Sequence, residues 1–296
     1  MNTEIKNSKW LLIDVLKEAT RFLESHGITH ARGNAEQLLS YVLGSDRIGL
    51  YLNFEQPLSE NERKIYKQLL RRRTQREPLQ YLVGRTEFMS LPFRIKPGVL
   101  IPRPETEVLV EKTIGQIEKR FGSDKPISCL DIGTGSGNIA VSLAYQSENI
   151  RVIAVDVDQD TLAVAEENAD VNGVGDRIEF VLLNIMDEKS IEKIGQRFNI
   201  VVSNPPYVSE EDYKKLPEEI RMHEPKIALD GGRDGLRFYR RLAQILPELL
   251  EKDGLALFEI GADQTDPVKA IFKESFLKHI EIIQDLAGQD RIICLQ

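Results

Sequence analysis

The sequence predicts an α/β fold: a seven-stranded, mainly parallel, doubly wound sheet that follows a small N-terminal helical domain. Two observations predict it. Apolar residues recur at helical spacing from Trp10 to about Tyr81, and after Pro126 short apolar strands alternate with helical stretches. This alternation indicates parallel strands joined by right-handed crossovers, with helices on both faces of the sheet. A chain of 296 residues is long enough for such a domain and a smaller companion.

Residues 1–80 form the predicted helical domain. A first apolar run stops at Gly27, and a second ends at Gly44. The third begins at Ser59, where Glu62 three residues later completes the pattern of a capping box. The segment therefore predicts three amphipathic helices.

Residues 81–101 predict a β-hairpin linker, because aromatic and aliphatic residues precede the turn signal Pro97-Gly98. Residues 102–296 follow as the sheet domain. Its last two strands are separated only by residues 287–290, which is too short for a parallel crossover. One of these two strands must therefore run antiparallel to its neighbours.

The composition excludes several classes of protein. The formal charge of −8 argues against a stable nucleic-acid partner. Only Cys129 and Cys294 are present, and His26 and His30 have no acidic companion, so neither a disulfide framework nor a metal site is expected. The first ten residues lack the apolar core of a signal peptide, and no apolar run reaches the ~20 residues that span a bilayer. We expect a monomeric cytoplasmic protein.

A glycine-rich turn ends the first strand of the predicted sheet. It runs from Asp131 to Asn138 with glycines spaced GxGxG, and Asp156 ends the next strand. Such turns bind ligands at the carboxyl ends of parallel strands, where Asp131 can meet a cationic amino group and Asp156 can meet ribose hydroxyls. Dinucleotide-binding proteins share this pattern, but Asn138 takes the place of their third glycine. The loop therefore favours a cofactor that combines a nucleoside with an amino acid.

Asn184 and Ile185 follow the third strand of the sheet. The amide of Asn184 could recognise the edge of an adenine ring while Ile185 packs on its face. The alternative is an asparagine that simply ends a strand.

The segment Asn204-Pro205-Pro206-Tyr207 follows the fourth strand, at the same edge of the sheet. The Asn204 side-chain oxygen and the Pro205 carbonyl can both accept hydrogen bonds from one NH₂ group, and Tyr207 can stack on a planar group. A planar nitrogen attacks carbon poorly unless it is aligned and its hydrogens meet acceptors. The segment therefore predicts methyl transfer to such a nitrogen, and an amide and an exocyclic aryl amine both remain open.

Five segments resemble the PrmC/HemK family, the protein-(glutamine-N5) methyltransferases that modify peptide chain release factors. They are QYLVG (80–84), LIPRPETE (100–107), DIGTGSGN (131–138), NPPYV (204–208) and EPKIALDGGRDGLRFYRR (224–241). The resemblance covers essentially the whole chain. It implies a helical N-terminal substrate-recognition domain, a hairpin linker and a class I methyltransferase domain. It also implies that S-adenosylmethionine donates a methyl group to the glutamine of the GGQ motif in class 1 release factors, which modulates translation termination, and leaves as S-adenosylhomocysteine.

The motifs and the resemblance together give the expected site residues. The resemblance itself implies that residues 133–137 and Asp156 bind the cofactor and that residues 204–207 hold the glutamine amide. Those expected to contact the cofactor are Asp131, Gly133, Thr134, Gly135, Ser136, Gly137, Asp156, Asn184, Ile185 and Asn204. Those expected to contact the glutamine are Asn204, Pro205, Pro206, Tyr207 and Arg103, the first four as catalytic residues. The sequence departs from the family at Asn184, where an acidic residue is common.

Other functions share parts of this pattern. A DNA adenine-N6 methyltransferase would need the same two acceptors and a stacking ring. A nicotinamide-dependent dehydrogenase or a noncatalytic binding protein could use the same fold. The arginines 71–73 and Arg76 at the end of the third helix indicate a solvated helix end, with docking of an acidic protein surface or RNA as the alternative.

Overall fold

The structure is a computed structural model that describes residues 10–122, 124–274 and 279–296. The residues before Trp10, whose lack of a signal-peptide core was noted above, lie outside this description. The chain divides into two compact units. The first comprises Met1–Gly84 and Glu218–His223, and the second comprises Arg85–Pro217 and Glu224–Gln296.

The helices are α1 (Leu12–Ser25), α2 (Ala31–Leu43), α3 (Arg47–Leu52), α4 (Glu60–Thr74), α5 (Leu79–Val83), α6 (Pro104–Phe121), α7 (Asn138–Gln146), α8 (Gln159–Val171), α9 (Ser190–Ile194), α10 (Glu210–Tyr213), α11 (Glu218–His223), α12 (Arg237–Leu249) and α13 (Thr265–Lys273). The strands are β1 (Arg85–Phe88), β2 (Leu91–Arg94), β3 (Ile127–Ile132), β4 (Ile150–Asp156), β5 (Ile178–Leu182), β6 (Phe198–Ser203), β7 (Leu250–Glu259), β8 (Ile280–Gln284) and β9 (Asp290–Leu295).

The first unit contains the three predicted helices as α1, α2 and α4. Helix α2 ends at Gly44, whose φ of 60° is a left-handed conformation that glycine adopts without strain. The capping box at the start of α4 is confirmed, because Ser59 and Glu62 each bond the other's backbone N–H. Helices α3 and α5 were not predicted. Asp46, whose side chain accepts from the Gly49 N–H, is the capping signal that would have revealed α3.

Among the arginines at the end of α4, Arg71 and Arg72 are exposed, as a solvated helix end requires, but Arg73 is not. Arg73 is buried, and it donates to the Asn34 Oδ1 and to the Glu219 Oε2, both at 2.7 Å. Arg76 donates to the Gly27 carbonyl at 2.9 Å. These contacts fix α11 within the first unit, so the prediction was wrong for Arg73.

Strands β1 and β2 form the predicted hairpin, but its turn lies elsewhere than expected. Met89 and Ser90 connect the strands with φ values of 52° and 59°, although neither is a glycine. The Glu107 carboxylate accepts from the Met89 N–H at 2.7 Å and stabilises this turn. Phe88 and Phe93 pack into the core of the second unit. The hairpin is therefore an integral part of that unit.

The seven-stranded sheet has the order β5-β4-β3-β6-β7-β9-β8. Strands β3 to β7 are mutually parallel, and β9 runs antiparallel to both β7 and β8. This confirms the mainly parallel sheet and the antiparallel partner near the C-terminus. The chain builds outward from β3 to β5 and then returns to place β6 on the other side of β3. Ligands bind at such a switch point in open α/β sheets.

Apolar cores cover both faces of this sheet. Helices α6, α7 and α8 contribute Leu109, Ile139 and Ala169 to one core. Helices α12 and α13 contribute Leu242 and Phe272 to the other. Both cysteines are buried and free. Within the described residues, no helix is long and apolar enough to cross a membrane.

The core of the first unit gives a test of this packing. Leu38 is fully buried, whereas Leu52 is 79% exposed. We expect Leu38→Ala to lower the free energy of local unfolding by about 2–5 kcal/mol, because it removes buried surface and leaves a cavity. The same change at Leu52 should cost less than about 0.5 kcal/mol. Amide hydrogen exchange in α1 and α2 measures the free energy of local unfolding of each variant. Equal protection of these helices in the Leu38→Ala and Leu52→Ala variants would contradict this packing.

Candidate active site

The carboxyl ends of the parallel strands meet at one edge of the sheet, and a cavity of about 590 Å³ opens there. Of the residues predicted to bind ligands, eight line it: Gly133, Gly135, Asp156, Asn184, Ile185, Asn204, Pro205 and Pro206. The sequence did not single out Leu100, Ile227 and Phe238, which also line the cavity. They lie in the segments 100–107 and 224–241 that carry the family resemblance, but nothing in the sequence marked their apolar side chains as part of a cavity.

The glycine-rich turn between β3 and α7 is tied to the neighbouring strand. The backbone N–H groups of Gly133 and Thr134 both donate to the Val155 carbonyl, at 2.8 and 3.0 Å. Gly133 and Gly135 have φ values of 72° and 57°, and a side chain at either would be strained. Gly137 packs against Ala165, whose Cβ would lie 3.1 Å from an added Cβ. The turn therefore presents bare backbone to the cavity.

Asn168 stabilises this turn on the side away from the cavity, and this role was not predicted from the sequence. It lies in α8 with no exposed surface, and its amide nitrogen donates to the Ser136 carbonyl at 2.9 Å. The same side chain bonds both backbone groups of Arg94 in the hairpin. An asparagine inside an apolar helix face is the signal that could have drawn attention to it.

Asp131 is fully buried behind the turn and does not itself line the cavity. Its Oδ2 accepts from the Thr134 hydroxyl at 2.7 Å, and its Oδ1 has no hydrogen-bond partner among the described residues. Burial raises the pKa of Asp131 to about 7, against the hydrogen bond from Thr134. A buried acceptor without a donor is a suitable partner for a cationic group.

Asp156 is placed at the cavity wall, as predicted from its position at the end of β4. Its Oδ2 accepts from the Gly135 N–H at 2.9 Å, and its Oδ1 accepts from the Asp158 N–H at 3.2 Å. Burial also raises the pKa of this carboxyl. Asn184 lies beyond β5 and uses its Oδ1 to accept from the Met186 N–H at 3.0 Å. The Asn184 amide nitrogen takes no part in this hydrogen bond.

The NPPY segment begins at the end of β6, where the Ser203 hydroxyl donates to the Ile132 carbonyl at 2.6 Å and fixes it beside β3. The Asn204 amide nitrogen donates to the Thr106 hydroxyl at 3.0 Å. The Tyr207 hydroxyl donates to the Glu259 Oε1 at 3.2 Å, and Tyr207 does not line the cavity. Stacking of Tyr207 on a ligand stays a prediction.

Thr106 and Glu259 were not predicted as site residues. Both are 1% exposed, and the Thr106 hydroxyl donates to the Glu259 Oε2 at 2.7 Å. Thr106 lies in the first turn of α6, and Glu259 ends β7. A glutamate that closes an apolar strand is the signal that could have found the second of them, because parallel strands place their ends at one edge.

Arg103 is part of the second unit but does not line the cavity. Its Nη2 donates to the Glu224 Oε1 at 2.6 Å, and the other oxygen of this buried carboxylate accepts from the Ile101 N–H at 3.4 Å. Arg103 therefore orders the segment before α6. A contact between Arg103 and a substrate stays a prediction.

The glycine-rich turn after Glu224 packs directly on the NPPY backbone. The Gly231 N–H donates to the Val208 carbonyl at 2.9 Å, and a Cβ at Gly231 would lie 2.9 Å from the Tyr207 carbonyl carbon. Gly235 has a φ of 76° and the same kind of close approach to Tyr207. No group of acidic, histidine or cysteine side chains in the described ranges could hold a metal ion.

The raised pKa of Asp131 makes a prediction about stability. Its ordinary pKa is 3.8 and its folded value is about 7, so the folded state retains a proton that the unfolded state has lost between these values. The stabilisation from this group is complete below the lower pKa and is lost as the pH rises through the higher one. We expect Asp131→Asn to be more stable than the parent chain at pH 8 by about 1–4 kcal/mol, at about 1.4 kcal/mol per pH unit.

Thermal unfolding of the ligand-free chain between pH 5 and 8 measures this difference, which should shrink toward the acid end. The control is Asp160→Asn, an exposed carboxylate in the first turn of α8. Parallel pH profiles for the Asp131→Asn variant and the parent chain would contradict the prediction.

Comparison with known proteins adds to this geometry. Residues 14–84 match the PrmC N-terminal domain, and residues 114–232 match the methyltransferase small domain. A release factor glutamine methyltransferase of Geobacter sulfurreducens is 39% identical over 285 residues, which covers 96% of each chain. The corresponding protein of Bacillus cereus is 38% identical over 281 residues, covering 95% of this chain and 97% of the relative.

A solved methyltransferase structure from Pyrococcus furiosus shares the fold alone. It is 17% identical with a TM-score of 0.50, covering 70% of this chain and 89% of that one. The Geobacter sulfurreducens and Bacillus cereus proteins establish the family, because each aligns with nearly the whole chain at 38–39% identity. The chain belongs to the release factor glutamine methyltransferase family.

Proposed function

We propose that this protein transfers a methyl group from S-adenosylmethionine to the side-chain amide nitrogen, N5, of the glutamine in the GGQ motif of class 1 peptide chain release factors. The observation that carries the proposal is that the glycine-rich turn and Asn204 line one cavity. A methyl donor and a nitrogen acceptor can therefore meet there. The family of the chain supports the release factor as the source of that nitrogen.

The cofactor fits the residues on one side of the cavity. S-adenosylmethionine supplies an electrophilic methyl group on a sulfonium centre and leaves as S-adenosylhomocysteine. Asp131 has a buried oxygen without a donor, which suits the cationic amino group either directly or through water. Asp156 would accept from the ribose hydroxyls, and Asn184 with Ile185 would hold the adenine. Residues 133–137 would let the backbone approach the cofactor closely, because the glycines carry no side chains.

The substrate amide fits the other side. The Asn204 Oδ1 and the Pro205 carbonyl would accept hydrogen bonds from the two hydrogens of the glutamine amide, and Pro206 stiffens the backbone that carries them. Two acceptors favour electron density on nitrogen as positive charge develops there, which stabilises the transition state more than the ground state. Tyr207 would flank the planar amide.

The partner is a whole protein, so residues outside the cavity contribute to recognition. We propose that residues 1–80 help to recognise the release factor, which binds through its GGQ-containing domain, and that Arg103 contacts the segment next to the glutamine. The net charge of −8 fits a protein partner better than a stable nucleic-acid partner. Two free buried cysteines fit the reducing cytoplasm, where the protein would act as a monomer.

A labelling experiment tests the proposed reaction. The chain is incubated with methyl-labelled S-adenosylmethionine and a class 1 release factor, or separately with duplex DNA, and the label is mapped by peptide or nucleoside mass spectrometry. We expect the label on the GGQ glutamine. Label on DNA adenine, with none on the release factor, would overturn the assignment.

Asn204→Ala sharpens this test. Because the lost acceptor addresses the substrate nitrogen, we expect kcat to fall by about 100- to 1,000-fold, the loss typical of a group that stabilises a transition state. The Kd for S-adenosylmethionine should change by less than about threefold, which is below 1 kcal/mol. Asn53→Ala, an exposed asparagine in the first unit, is the matched control. An equal loss of cofactor affinity would show that Asn204 serves the cofactor instead.

A further inference from the structure

We infer that Thr106 and Glu259 set the direction in which Asn204 presents its amide, and that they thereby make the site select an NH₂ donor over a carboxylate. The inference deepens the proposed function and rests on it. Neither Thr106 nor Glu259 lines the cavity, so both are positioning residues that act through Asn204.

Three side chains form a directed series of hydrogen bonds. The Asn204 Nδ2 donates to the Thr106 Oγ1 at 3.0 Å, and the Thr106 Oγ1 donates to the Glu259 Oε2 at 2.7 Å. They come from the end of β6, the first turn of α6 and the end of β7. Because these elements are far apart in sequence, only the fold brings the three groups together.

The single proton of the threonine hydroxyl decides the direction. A carboxylate can only accept hydrogen bonds, so the Thr106 proton points to Glu259 and leaves only lone pairs for Asn204. The amide of Asn204 must therefore turn its NH₂ group toward Thr106. Its Oδ1, which has no hydrogen-bond partner among the described residues, is left for the ligand. The opposite orientation would set two acceptors against each other and would turn a donor toward the ligand.

The far end of the series is held firmly. Glu259 also accepts from the Tyr207 hydroxyl at 3.2 Å, and its own carbonyl accepts from the buried Tyr239 hydroxyl at 2.8 Å. Burial raises the pKa of the Glu259 carboxyl, whereas the hydrogen bond from Thr106 and the positive charge of Arg291 oppose that rise. Because the Glu259 carboxylate is held as an acceptor, the Thr106 hydroxyl must donate to it, and the same hydroxyl can then only accept from Asn204.

This arrangement has a consequence for selectivity. With the Asn204 Oδ1 and the Pro205 carbonyl both facing the ligand, an amide NH₂ group finds two acceptors. A carboxylate of the same shape would meet two oxygens with no proton between them. The series therefore discriminates glutamine from glutamate at the methylated position.

Thr106→Val tests the role of the hydroxyl, since valine has nearly the same shape and no hydrogen-bonding group. We expect kcat for a release factor to fall by about 10- to 100-fold, the loss typical of a residue that orients a reacting group. The KM for the release factor and the Kd for S-adenosylmethionine should hold. Thr106→Ser, which restores the hydroxyl, should recover most of the rate.

Thr113→Val is a close control. Thr113 lies two turns further along the same helix, is equally buried, and uses its hydroxyl only to bond the Leu109 carbonyl at 2.7 Å. We expect its kcat to stay near that of the parent chain. Equal losses in both valine variants would show that Thr106 matters only for packing and would overturn the inference.

A second readout does not depend on how much of the variant is folded. Two release factors, one with glutamine and one with glutamate in the GGQ motif, compete for the enzyme, and the ratio of their inhibition constants is measured. We expect Thr106→Val to relax the preference for glutamine several-fold, because Asn204 can then turn its NH₂ group toward the ligand. A ratio identical to that of the parent chain would overturn the inference.

Glu259→Leu completes the test from the other end. If Thr106 and Glu259 act in series, the double variant with Thr106→Val should be no slower than the slower single variant. Additive losses would contradict a series.

If the parent chain itself leaves the release factor unlabelled, the proposed function fails. If the parent chain labels it and the valine variant at Thr106 matches it in rate and preference, only the present inference fails.

Discussion

The parallel pairing of β3 with β6 is the constraint on which the site depends. Asp131 lies opposite Val202 in this register, and the Ser203 hydroxyl binds the Ile132 carbonyl at the point where both strands end. Strands β4 and β6 lie on opposite sides of β3. The loops that follow β3 and β6 therefore leave the same edge of the sheet in different directions. The cavity lies at this edge, and the connection between β6 and α12 adds Pro225 and Ile227 to its wall.

Two acidic groups lie behind the residues that line the cavity, and both are costly to bury. Asp131 and Glu259 have essentially no exposed surface, and burial raises the pKa of each. Each nevertheless has a short hydrogen bond from a threonine, Thr134 or Thr106. The fold therefore tolerates two acidic groups whose burial is unfavourable. Under the proposed function, one would face the cationic cofactor and the other would orient the Asn204 amide, a conflict between stability and function that is common in active sites.

The first turn of α6 connects parts of the catalytic unit that are distant in sequence. Thr106 reaches Asn204 and Glu259, whereas Glu107 stabilises the turn of the hairpin through Met89. Just before this turn, Arg103 binds the buried Glu224. The segment IPRPETE therefore begins helix α6 and also holds Asn204, the end of β7 and the hairpin turn in place.

The sequence by itself determined the three longer helices of the first unit, the sheet with its one reversed strand, the glycine-rich turn and the NPPY segment, because hydrophobic period, glycine spacing and proline chemistry are local. It could not find Thr106, Glu259 or Asn168, since each looks like an ordinary helix or strand residue until a partner about 30 to 150 positions away is known. It also treated Arg73 as solvated, although that side chain is buried against Asn34 and Glu219. The tertiary structure alone decided which polar groups face each other, and hence which way the Asn204 amide points, because a hydrogen bond has a direction only when both partners are in place.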